Sequence, residues 1–360
     1  MSSLRRAKVI SGGTLIDGTG KPPVKDSTVV ILGSTIIEVG RVEDVDIPRD
    51  AELIDAKGKT VLPGLIDCHT HFIGMGVRTL TTLDLTQTRS VSEAVNLVKS
   101  RLMGMPKGTW LTGRGWDESK WVERRYITKW DIDPVSPDNP VNLTRVCGHL
   151  TTLNSQALNL AKITKDTPDP PGGKIDKDPV TREPTGVLKD ASRLIAGLTP
   201  PQTTEMTLKG VQKACEIALR LGCTGIHDAG TASSGFSAYQ TCMEDGSLTV
   251  RSYAMPRGEW VLGVFENAGI KTGFGNDLLK IGPVKFLIDG SMGAHTAALF
   301  EPYADEPSTN GIFTMPPGRL KEMVMKMHKL GMQIAVHAIG DRGIEETLNA
   351  LEAAIEEEPR

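Results

Sequence analysis

The sequence predicts an α/β protein built on an incomplete TIM-like (β/α)8 barrel with about five βα units. Three observations carry this prediction. The first sixty residues alternate short β-branched runs with Gly, Asp and Pro, a nearly continuous apolar strand begins at Val61, and from Thr204 helical and strand patterns alternate regularly. Strands that alternate with helices are typical of parallel βαβ units. We therefore expect a small all-β layer at residues 1–60 and a partial barrel at 61–360.

The barrel begins with VLPGLIDCHTH, whose apolar run predicts a strand that is buried on both faces and ends in polar residues. About 150 residues follow before another such strand appears. They include a helix candidate capped by Ser90 with Glu93 three residues later, a Trp/Arg-rich stretch and a Pro/Gly loop, TPDPPGGKIDKDP. We expect an inserted α+β subdomain at about 75–203.

The alternation after Thr204 supplies the rest of the barrel. Helices are predicted over 204–221, near 235–245, near 260–269, and over 318–330 and 343–357. Strands of the parallel sheet are predicted near 61–71, 222–228, 249–256, 280–289 and 332–338. A closed barrel of this kind has eight strands. We therefore expect about three further βα units, or roughly 90 residues, beyond Arg360.

The composition argues against several classes of partner. The formal net charge is only −3 over 360 residues, which indicates neither nucleic-acid nor membrane binding. No apolar run approaches the roughly 18 residues of a membrane-spanning helix, and the N-terminus lacks the apolar core of a signal peptide. Five scattered cysteines fit reduced thiols. The sequence therefore predicts a cytoplasmic protein.

Two histidines at the end of the first predicted strand are candidate metal ligands. His69 and His71 share strand parity with Asp67, so all three side chains are expected on one face at the carboxyl end. Imidazole nitrogen binds zinc and similar ions, and barrel active sites lie at this end of the strands. The alternative, a pair of surface histidines without a role, is disfavoured by the buried strand that precedes them.

Lys285 interrupts the apolar run VKFLID, where an unpaired ammonium would be costly to bury. Two interpretations stay open from the residues alone. In the first, Lys285 forms an ion pair with Asp289, which shares its strand parity. In the second, Lys285 is a neutral amine that takes up carbon dioxide and becomes a carbamate able to bridge two metal ions.

Other histidines are weaker candidates. His337 ends the fifth predicted strand and is of interest as the third histidine at a strand end. His149 either lines a substrate pocket or caps the following helix, and His227 is either a ligand or a structural loop residue. His295 follows the Gly-rich turn DGSMGAH, and we expect it at the mouth of the site. A tryptophan cluster either packs or walls an apolar pocket: Trp110, Trp116, Trp121 and Trp130.

Taken together, these segments resemble the amidohydrolase superfamily. VLPGLIDCHTH is similar to its first-strand signature, and in that superfamily the N-terminal β layer is one part of a composite β-sandwich completed by C-terminal strands. Four further segments, in collinear order, resemble the branch of the N-substituted formamide deformylases: GRGWDESKW, PDNPVNLTRVCGHLTTLNSQAL, VKFLIDGSMGAHTAAL and VHAIGDRGI. The resemblance runs from about residue 8 to residue 357.

The resemblance implies roles for particular residues. His69 and His71 would bind one metal ion, Lys285 would be the carbamylated bridge, and His337 would bind a second ion. One or two divalent ions are implied, with zinc expected. The family's sixth-strand histidine and its proton-shuttle aspartate are expected beyond Arg360, so no catalytic residue is assigned within the chain. The candidate substrate-binding residues are His149, Trp116, Asp289 and His295.

The implied reaction is hydrolysis of a non-peptide C–N bond, in an amide, formamide or cyclic amide, by metal-activated water. The expected partner is a small amide-type substrate, and a homo-oligomer or a separate C-terminal half is considered as well. Two alternatives stay open: an inactive fragment or one half of a split enzyme, and a deaminase or C–O hydrolase on the same scaffold. Loops rather than the barrel determine the substrate, so the sequence does not name it.

Overall fold

The computed structural model describes residues 6–170, 173–189, 191–199, 201–257, 260–292 and 295–359. The chain divides into two compact units. The first combines Met1–Phe72 with Cys215–Arg360, and the second is Ile73–Ala214. The insertion predicted at about 75–203 lies within the second unit. Each unit has its own sheets and apolar core, and the two are described separately.

Seventeen β-strands and nine α-helices lie in the described ranges. The strands are β1 (Lys8–Leu15), β2 (Val24–Leu32), β3 (Thr35–Arg41), β4 (Glu52–Asp55), β5 (Thr60–Val61), β6 (Leu65–Thr70), β7 (Thr82–Asp84), β8 (Leu111–Trp116), β9 (Val141–Arg145), β10 (Leu150–Leu153), β11 (Lys174–Lys177), β12 (Pro184–Lys189), β13 (Cys223–Thr231), β14 (Arg251–Pro256), β15 (Leu279–Ile281), β16 (Val284–Leu287) and β17 (Ile334–His337). The helices are α1 (Phe72–Thr81), α2 (Val91–Leu102), α3 (Lys129–Ile132), α4 (Ser155–Leu160), α5 (Thr204–Arg220), α6 (Ser233–Glu244), α7 (Trp260–Ala268), α8 (Pro317–Lys329) and α9 (Asp341–Glu357). In these ranges no helix has both the length and the apolar character that crossing a membrane requires.

The N-terminal layer is a five-stranded sheet with the order β3-β2-β1-β4, and β5 also pairs with β1. β1, β2 and β3 are antiparallel, whereas β4 and β5 run parallel to β1. One face buries a small apolar core of Ala7, Val9, Val30, Val45 and Ala51. The predicted small β layer is therefore present, and its completion into a composite sandwich stays a prediction.

Parallel strands carry the candidate site in the first unit. β6, β13, β14 and β15 form a parallel sheet in the order β15-β14-β13-β6, and β16 and β17 form a parallel pair. A parallel bridge between Arg257 and Lys285 joins the end of β14 to β16. Helices α5 to α9 alternate with these strands, which is the βα succession that the sequence predicts. The strand predicted at 280–289 is divided into β15 and β16 by Gly282 and Pro283.

Alternation along β16 decides which side chains face the helices, because successive residues of a strand point to opposite faces. Val284, Phe286 and Ile288 are 0%, 4% and 0% exposed and pack in one apolar core with residues of α7, α8 and α9. Lys285 and Leu287 therefore project from the other face of the strand. The apolar anchoring of β16 thus leaves the Lys285 side chain on the face of the strand opposite Val284 and Phe286.

β6 departs from the prediction of a strand buried on both faces. Leu65 and Ile66 are 55% and 66% exposed. Among the described strands β6 pairs with β13 alone, so it lies at the edge of its sheet. An apolar run shows that a strand could be buried on both faces, but whether it is buried depends on the strands and helices that pack against it. The burial prediction for β6 is therefore wrong in this structure.

The second unit is built on a six-stranded mixed sheet in the order β11-β12-β10-β9-β8-β7. β7, β8 and β9 are parallel to one another, and the remaining pairs are antiparallel. α2 begins as predicted, since Ser90 Oγ accepts the backbone N–H of Glu93 at 3.0 Å. β11 lies within the segment predicted as a Pro/Gly loop and pairs with β12, so the loop prediction is wrong at Lys174–Lys177.

Candidate metal centre

The end of β6 carries the first two candidate ligands. Asp67 Oδ1 accepts the backbone N–H of His69 at 3.0 Å, so this aspartate turns back onto its own strand. Between Asp67 and Thr70, β6 has one residue more than the facing part of β13. This bulge interrupts the strict alternation of side chains that the prediction assumed. His69 and His71 are exposed, and their rings lie 6.0 Å apart at an angle of 88°. The two imidazoles therefore share one strand end, while Asp67 is engaged locally.

A buried aspartate holds the chain immediately after His71. Asp228 is 5% exposed, and its Oδ1 accepts the backbone N–H of Phe72 at 3.0 Å. Its Oδ2 accepts the hydroxyl groups of Thr231 and Tyr239, each at 3.0 Å. Burial raises the pKa of Asp228, and these three hydrogen bonds oppose the rise. The carboxylate thus fixes the point where the chain leaves β6.

His227 and Asp228 were predicted to end the strand CTGIHD, but β13 continues to Thr231. The ring of His227 lies against that of Tyr253, with centroids 4.9 Å apart. The structural role of Asp228 follows from its place in the apolar strand CTGIHD. A carboxylate that follows an apolar strand must find hydrogen-bond donors inside the fold.

Lys285 on β16 is 6% exposed. No described residue offers its amine a carboxylate within ion-pair distance, and Asp289 is engaged by backbone N–H groups instead. Burial lowers the pKa of Lys285, and the positive charge of Arg257 lowers it further. The two residues line a cavity of about 300 Å³, together with Thr314, Met315 and others. This setting favours the neutral form of the amine.

His337 ends β17, opposite Leu287 of β16. Its Nε2 lies 2.7 Å from the carbonyl oxygen of Gly290 and donates a hydrogen bond to it when that nitrogen carries the proton. Asp289 Oδ1 is 3.8 Å from the same nitrogen, beyond hydrogen-bond distance. No described residue forms a hydrogen bond with Nδ1. The second ring nitrogen is thus available as a metal ligand.

The candidate ligands lie on one succession of parallel strands, which runs through β6, β13, β14, β16 and β17. His69 and His71 lie at the end of β6 and His337 ends β17, whereas Lys285 is the second residue of β16, paired with Arg257 just after β14. Although His69 is exposed, partial desolvation of its ring lowers its pKa, and the positive charges of Lys285, His71 and His337 lower it further. The described residues contain no ready-made group of three or more His, Cys, Asp or Glu side chains that could hold a metal ion. The argument that these residues could bind a metal ion therefore depends on the chemistry of their donor atoms. Three imidazoles and one buried amine suit a divalent transition metal.

Asp289 was predicted to contact substrate, and the structure corrects this expectation. The residue is 1% exposed. Its carboxylate accepts backbone N–H groups of Ala298, Ile339 and Gly340 at 2.8–3.1 Å. These donors occupy the carboxylate and shield it from solvent, so it has no access to a substrate group.

His295 lies in the loop that follows β16, as the sequence suggested. Its Nε2 is 3.1 Å from Asp305 Oδ2, and its ring packs edge-on against Tyr303 with centroids 4.7 Å apart. The hydrogen bond from His295 lowers the pKa of Asp305. The expectation that His295 faces the mouth of the site stays a prediction.

The two remaining candidates belong to the second unit. Trp116 is 0% exposed, its Nε1 donates to the carbonyl of Leu143 at 2.9 Å, and its ring stacks on Trp121. It is therefore a packing residue, which corrects the expectation that it binds substrate. His149 is exposed in the turn between β9 and β10, and Asn154 rather than His149 caps α4. A pocket role for His149 stays a prediction.

Known proteins resemble this chain over most of its length. A family model described as "Amidohydrolase family" matches residues 52–360. The chain is 37% identical over 309 residues to the putative amidohydrolase YtcJ of Bacillus subtilis, covering 84% of this chain and 57% of that protein. It is 26% identical over 349 residues to the N-substituted formamide deformylase of Arthrobacter pascens, covering 90% and 62%. The crystal structure of an uncharacterized metal-dependent hydrolase from Pyrococcus furiosus matches with a TM-score of 0.74 at 29% identity, covering 97% of this chain and 70% of that one. The chain thus spans about three fifths of the length of these two curated relatives.

Proposed function

The chain belongs to the amidohydrolase family, and from this premise we propose that it hydrolyses a carbon–nitrogen bond other than a peptide bond, using metal-activated water. One observation carries the proposal. Three imidazoles stand at the carboxyl ends of two strands in one succession of parallel strands, and a buried amine projects from a third strand of it: His69, His71, His337 and Lys285. A relative named as an N-substituted formamide deformylase supports a C–N bond in particular.

The residues present fit a divalent metal ion by their donor chemistry. His69 and His71 would hold one ion, His337 would hold another, and Lys285 would be shared. Imidazole-rich sites favour zinc. A bound divalent cation lowers the pKa of water and polarises a scissile carbonyl.

Lys285 can become an anionic ligand by carbamylation. Its neutral amine nitrogen attacks the carbon of carbon dioxide, an N–C bond forms, and one proton leaves to solvent. Burial of the amine and the lack of an ion-pair partner among the described residues support this role, because the reaction requires the unprotonated nitrogen. The same role explains why a lysine stands between the core residues Val284 and Phe286.

The proposed substrate is a small amide, formamide or cyclic amide. Addition of one water molecule across the C–N bond yields an amine and a carboxylic acid. The cavity of about 300 Å³ beside Lys285 and Arg257 offers space for such a molecule. His295, in the loop after β16, is proposed to line its entrance.

Metal analysis of the full-length protein tests the proposal. We expect about two ions per chain in the parent, as in two-metal hydrolytic sites. Lys285→Ala should lose metal, because the shared ligand is removed. Lys280→Ala, which alters an exposed lysine on β15, is the matched control and should retain the parent's content. Unchanged metal content in Lys285→Ala would remove Lys285 from the site.

Parallel assays with formamides, N-acyl amino acids and lactones determine the bond that is cleaved. Release of an amine from either of the first two supports the proposed C–N hydrolysis. Turnover of lactones alone would assign a C–O hydrolase. Release of ammonia alone, from aminated heterocycles, would assign a deaminase.

A further inference from the structure

The loop after β16 and the turn after β17 meet at a buried carboxylate that the proposed mechanism does not use. Asp289 Oδ2 accepts the backbone N–H of Gly340 at 2.8 Å and that of Ala298 at 3.1 Å. Asp289 Oδ1 accepts the backbone N–H of Ile339 at 3.1 Å. Gly340 lies 51 positions further along the chain and Ala298 lies 9. One side chain therefore ties together two segments that are remote in sequence.

The tied segment begins just beyond a candidate ligand. Ile339 and Gly340 are the second and third residues after His337, and they lead directly into α9 at Asp341. The N-terminal end of a helix favours a nearby negative charge. By holding these two N–H groups, the carboxylate of Asp289 fixes the path of the chain as it leaves His337.

Two glycines permit this close approach. A Cβ atom on Gly343 would lie 2.7 Å from Asp289 Oδ2, and one on Gly340 would lie 1.9 Å from the carbonyl oxygen of Ala298. Both separations are too short for real contacts, so a side chain at either position would force the loop and the turn apart. The two glycines of VHAIGDRGI thus lie where the loop after β16 packs against the turn after β17 and the start of α9.

The backbone beside Asp289 also orients the imidazole of His337. The carbonyl oxygen of Gly290, the next residue, lies 2.7 Å from His337 Nε2. A proton on Nε2 satisfies this carbonyl and leaves Nδ1 unprotonated, as a metal ligand must be. The Asp289–Gly290 pair therefore acts on His337 twice, through its ring and through the chain that follows it.

We propose that Asp289 is a positioning residue that directs Nδ1 of His337 toward a metal ion. It acts through the carbonyl of Gly290 and through the backbone of residues 339 and 340. The inference rests on the proposed function, because it takes His337 to be a metal ligand. It also accounts for a buried carboxylate at a position first expected to contact substrate.

Asparagine is the most informative replacement at this position. The donors described at Asp289 are backbone N–H groups, which cannot accept a hydrogen bond. In either orientation, the NH2 group of Asp289→Asn would face an N–H group, although the side chain keeps its shape. At least one hydrogen bond is lost and a buried donor is left unsatisfied. We expect the contact between the loop and the turn to loosen and the His337 ring to lose its fixed direction.

Titration of the full-length chain with Zn²⁺ tests the proposal, at a temperature where circular dichroism shows each variant to be folded. Asp289→Asn should bind Zn²⁺ about 10–100-fold more weakly than the parent, the usual effect of removing a partner that orients a metal ligand. Asp133→Asn is the matched control. Asp133 lies in the second unit and accepts the N–H and the hydroxyl of Ser155, and because that hydroxyl can reverse its role, this variant should bind like the parent.

Nitrogen-15 NMR of histidine-labelled protein measures the tautomer of His337, which would not change if Asp289 only stabilised the fold. In the metal-free parent, His337 should carry its proton on Nε2, and the Nδ1 resonance should shift when Zn²⁺ is added. In Asp289→Asn the tautomer preference should weaken. A residue that only stabilises the fold would lower the unfolding temperature and leave both the tautomer and the Zn²⁺ affinity of the folded protein unchanged.

Parent-like affinity in folded Asp289→Asn, or a proton on Nδ1 of His337 in the metal-free parent, would overturn the positioning role. Should Asp289→Asn fail to fold, Gly343→Ala replaces it, because the added methyl group presses on Asp289 Oδ2. Weakened Zn²⁺ binding is expected there too, and parent-like binding would refute the inference. A parent that binds no Zn²⁺ would instead refute the proposed function, while the tautomer would still report whether the Asp289–Gly290 pair orients His337.

Discussion

Lys285, Asp228 and Asp289 are buried ionisable residues on or just after the parallel strands of the first unit, and each meets a different set of partners. Asp289 is satisfied by backbone N–H groups. Asp228 accepts one backbone N–H and two hydroxyl groups, whereas Lys285 has no carboxylate partner among the described residues. A buried charge is costly unless donors or counter-charges surround it. These environments therefore satisfy the two carboxylates, whereas burial and Arg257 lower the pKa of the Lys285 amine.

Asp228→Asn should be tolerated, in contrast to Asp289→Asn. The hydroxyls of Thr231 and Tyr239 can accept hydrogen bonds from the new NH2 group, and the remaining oxygen keeps the N–H of Phe72. Burial raises the pKa of Asp228 in the folded state above its ordinary 3.8, so ionisation of this residue lowers the free energy of unfolding of the parent. This cost is absent below pH 3.8 and present in full above the raised pKa.

The substitution removes that cost. The free energy of unfolding of Asp228→Asn, relative to the parent, should therefore increase as the pH rises from about 4 toward neutrality. Urea unfolding at several pH values measures this difference. Asp245→Asn is a comparison of opposite sign at lower pH: hydrogen bonds from Ser247 lower the pKa of Asp245, so its free energy of unfolding relative to the parent should decrease as the pH rises toward 3.8 and then stay level. A difference for Asp228→Asn that stays constant with pH would contradict the prediction.

At the scale of elements, β16 shows how the packing of neighbouring residues can position a side chain that does not itself pack against the helices. Val284, Phe286 and Ile288 bind the strand to the helices, and Lys285 projects from the other face because of strand alternation. β6 has no such anchor on its outer side, and its apolar residues are exposed. The direction of a site residue thus depends on the packing of its sequence neighbours.

Phe286→Ala should lower the free energy of unfolding by about 3–5 kcal/mol, the usual cost of removing a buried aromatic side chain. Phe286 is 4% exposed. Phe274→Ala is the matched control, because Phe274 is 66% exposed and its loss should cost much less. Urea unfolding followed by circular dichroism measures both variants. Equal losses for the two would show that the β16 core contributes less than its burial suggests.

At the scale of the whole molecule, the two units have separate apolar cores, and the candidate ligands lie in the first. Zinc should therefore stabilise the first unit selectively. A ligand that binds only the folded state stabilises it by about 2.7 kcal/mol at one hundred times its dissociation constant. Hydrogen exchange measured by mass spectrometry should show slower exchange at 65–72 and 334–341 with Zn²⁺.

Exchange in the second unit, at 73–214, should not change on addition of Zn²⁺. Lys285→Ala should reduce the protection in the first unit, because it removes the shared ligand. Equal protection of both units, or none in either, would argue against a zinc site formed by these strand ends.

Much of the fold could be predicted because its signals are local. The strand and helix succession after Thr204 follows from hydrophobic period, and the α2 cap at Ser90 follows from a spacing of three residues. The strand-end positions of His69, His71 and His337 follow from the same patterns. Errors arose where partners are remote: Trp116 is buried by Trp121 and Leu143, which no local pattern reveals.

By itself, the sequence determined the order of strands and helices, the family, and the residue types available to a metal at the strand ends. These are properties of short segments, each carrying its own period and motif. Only the tertiary structure decided the partners of Asp289 and the exposure of β6. Asp289 meets Gly340 from 51 positions away, and β6 is covered only where β13 lies beside it. Hydrogen bonds and burial depend on which groups folding brings together, and spacing along the chain does not state that.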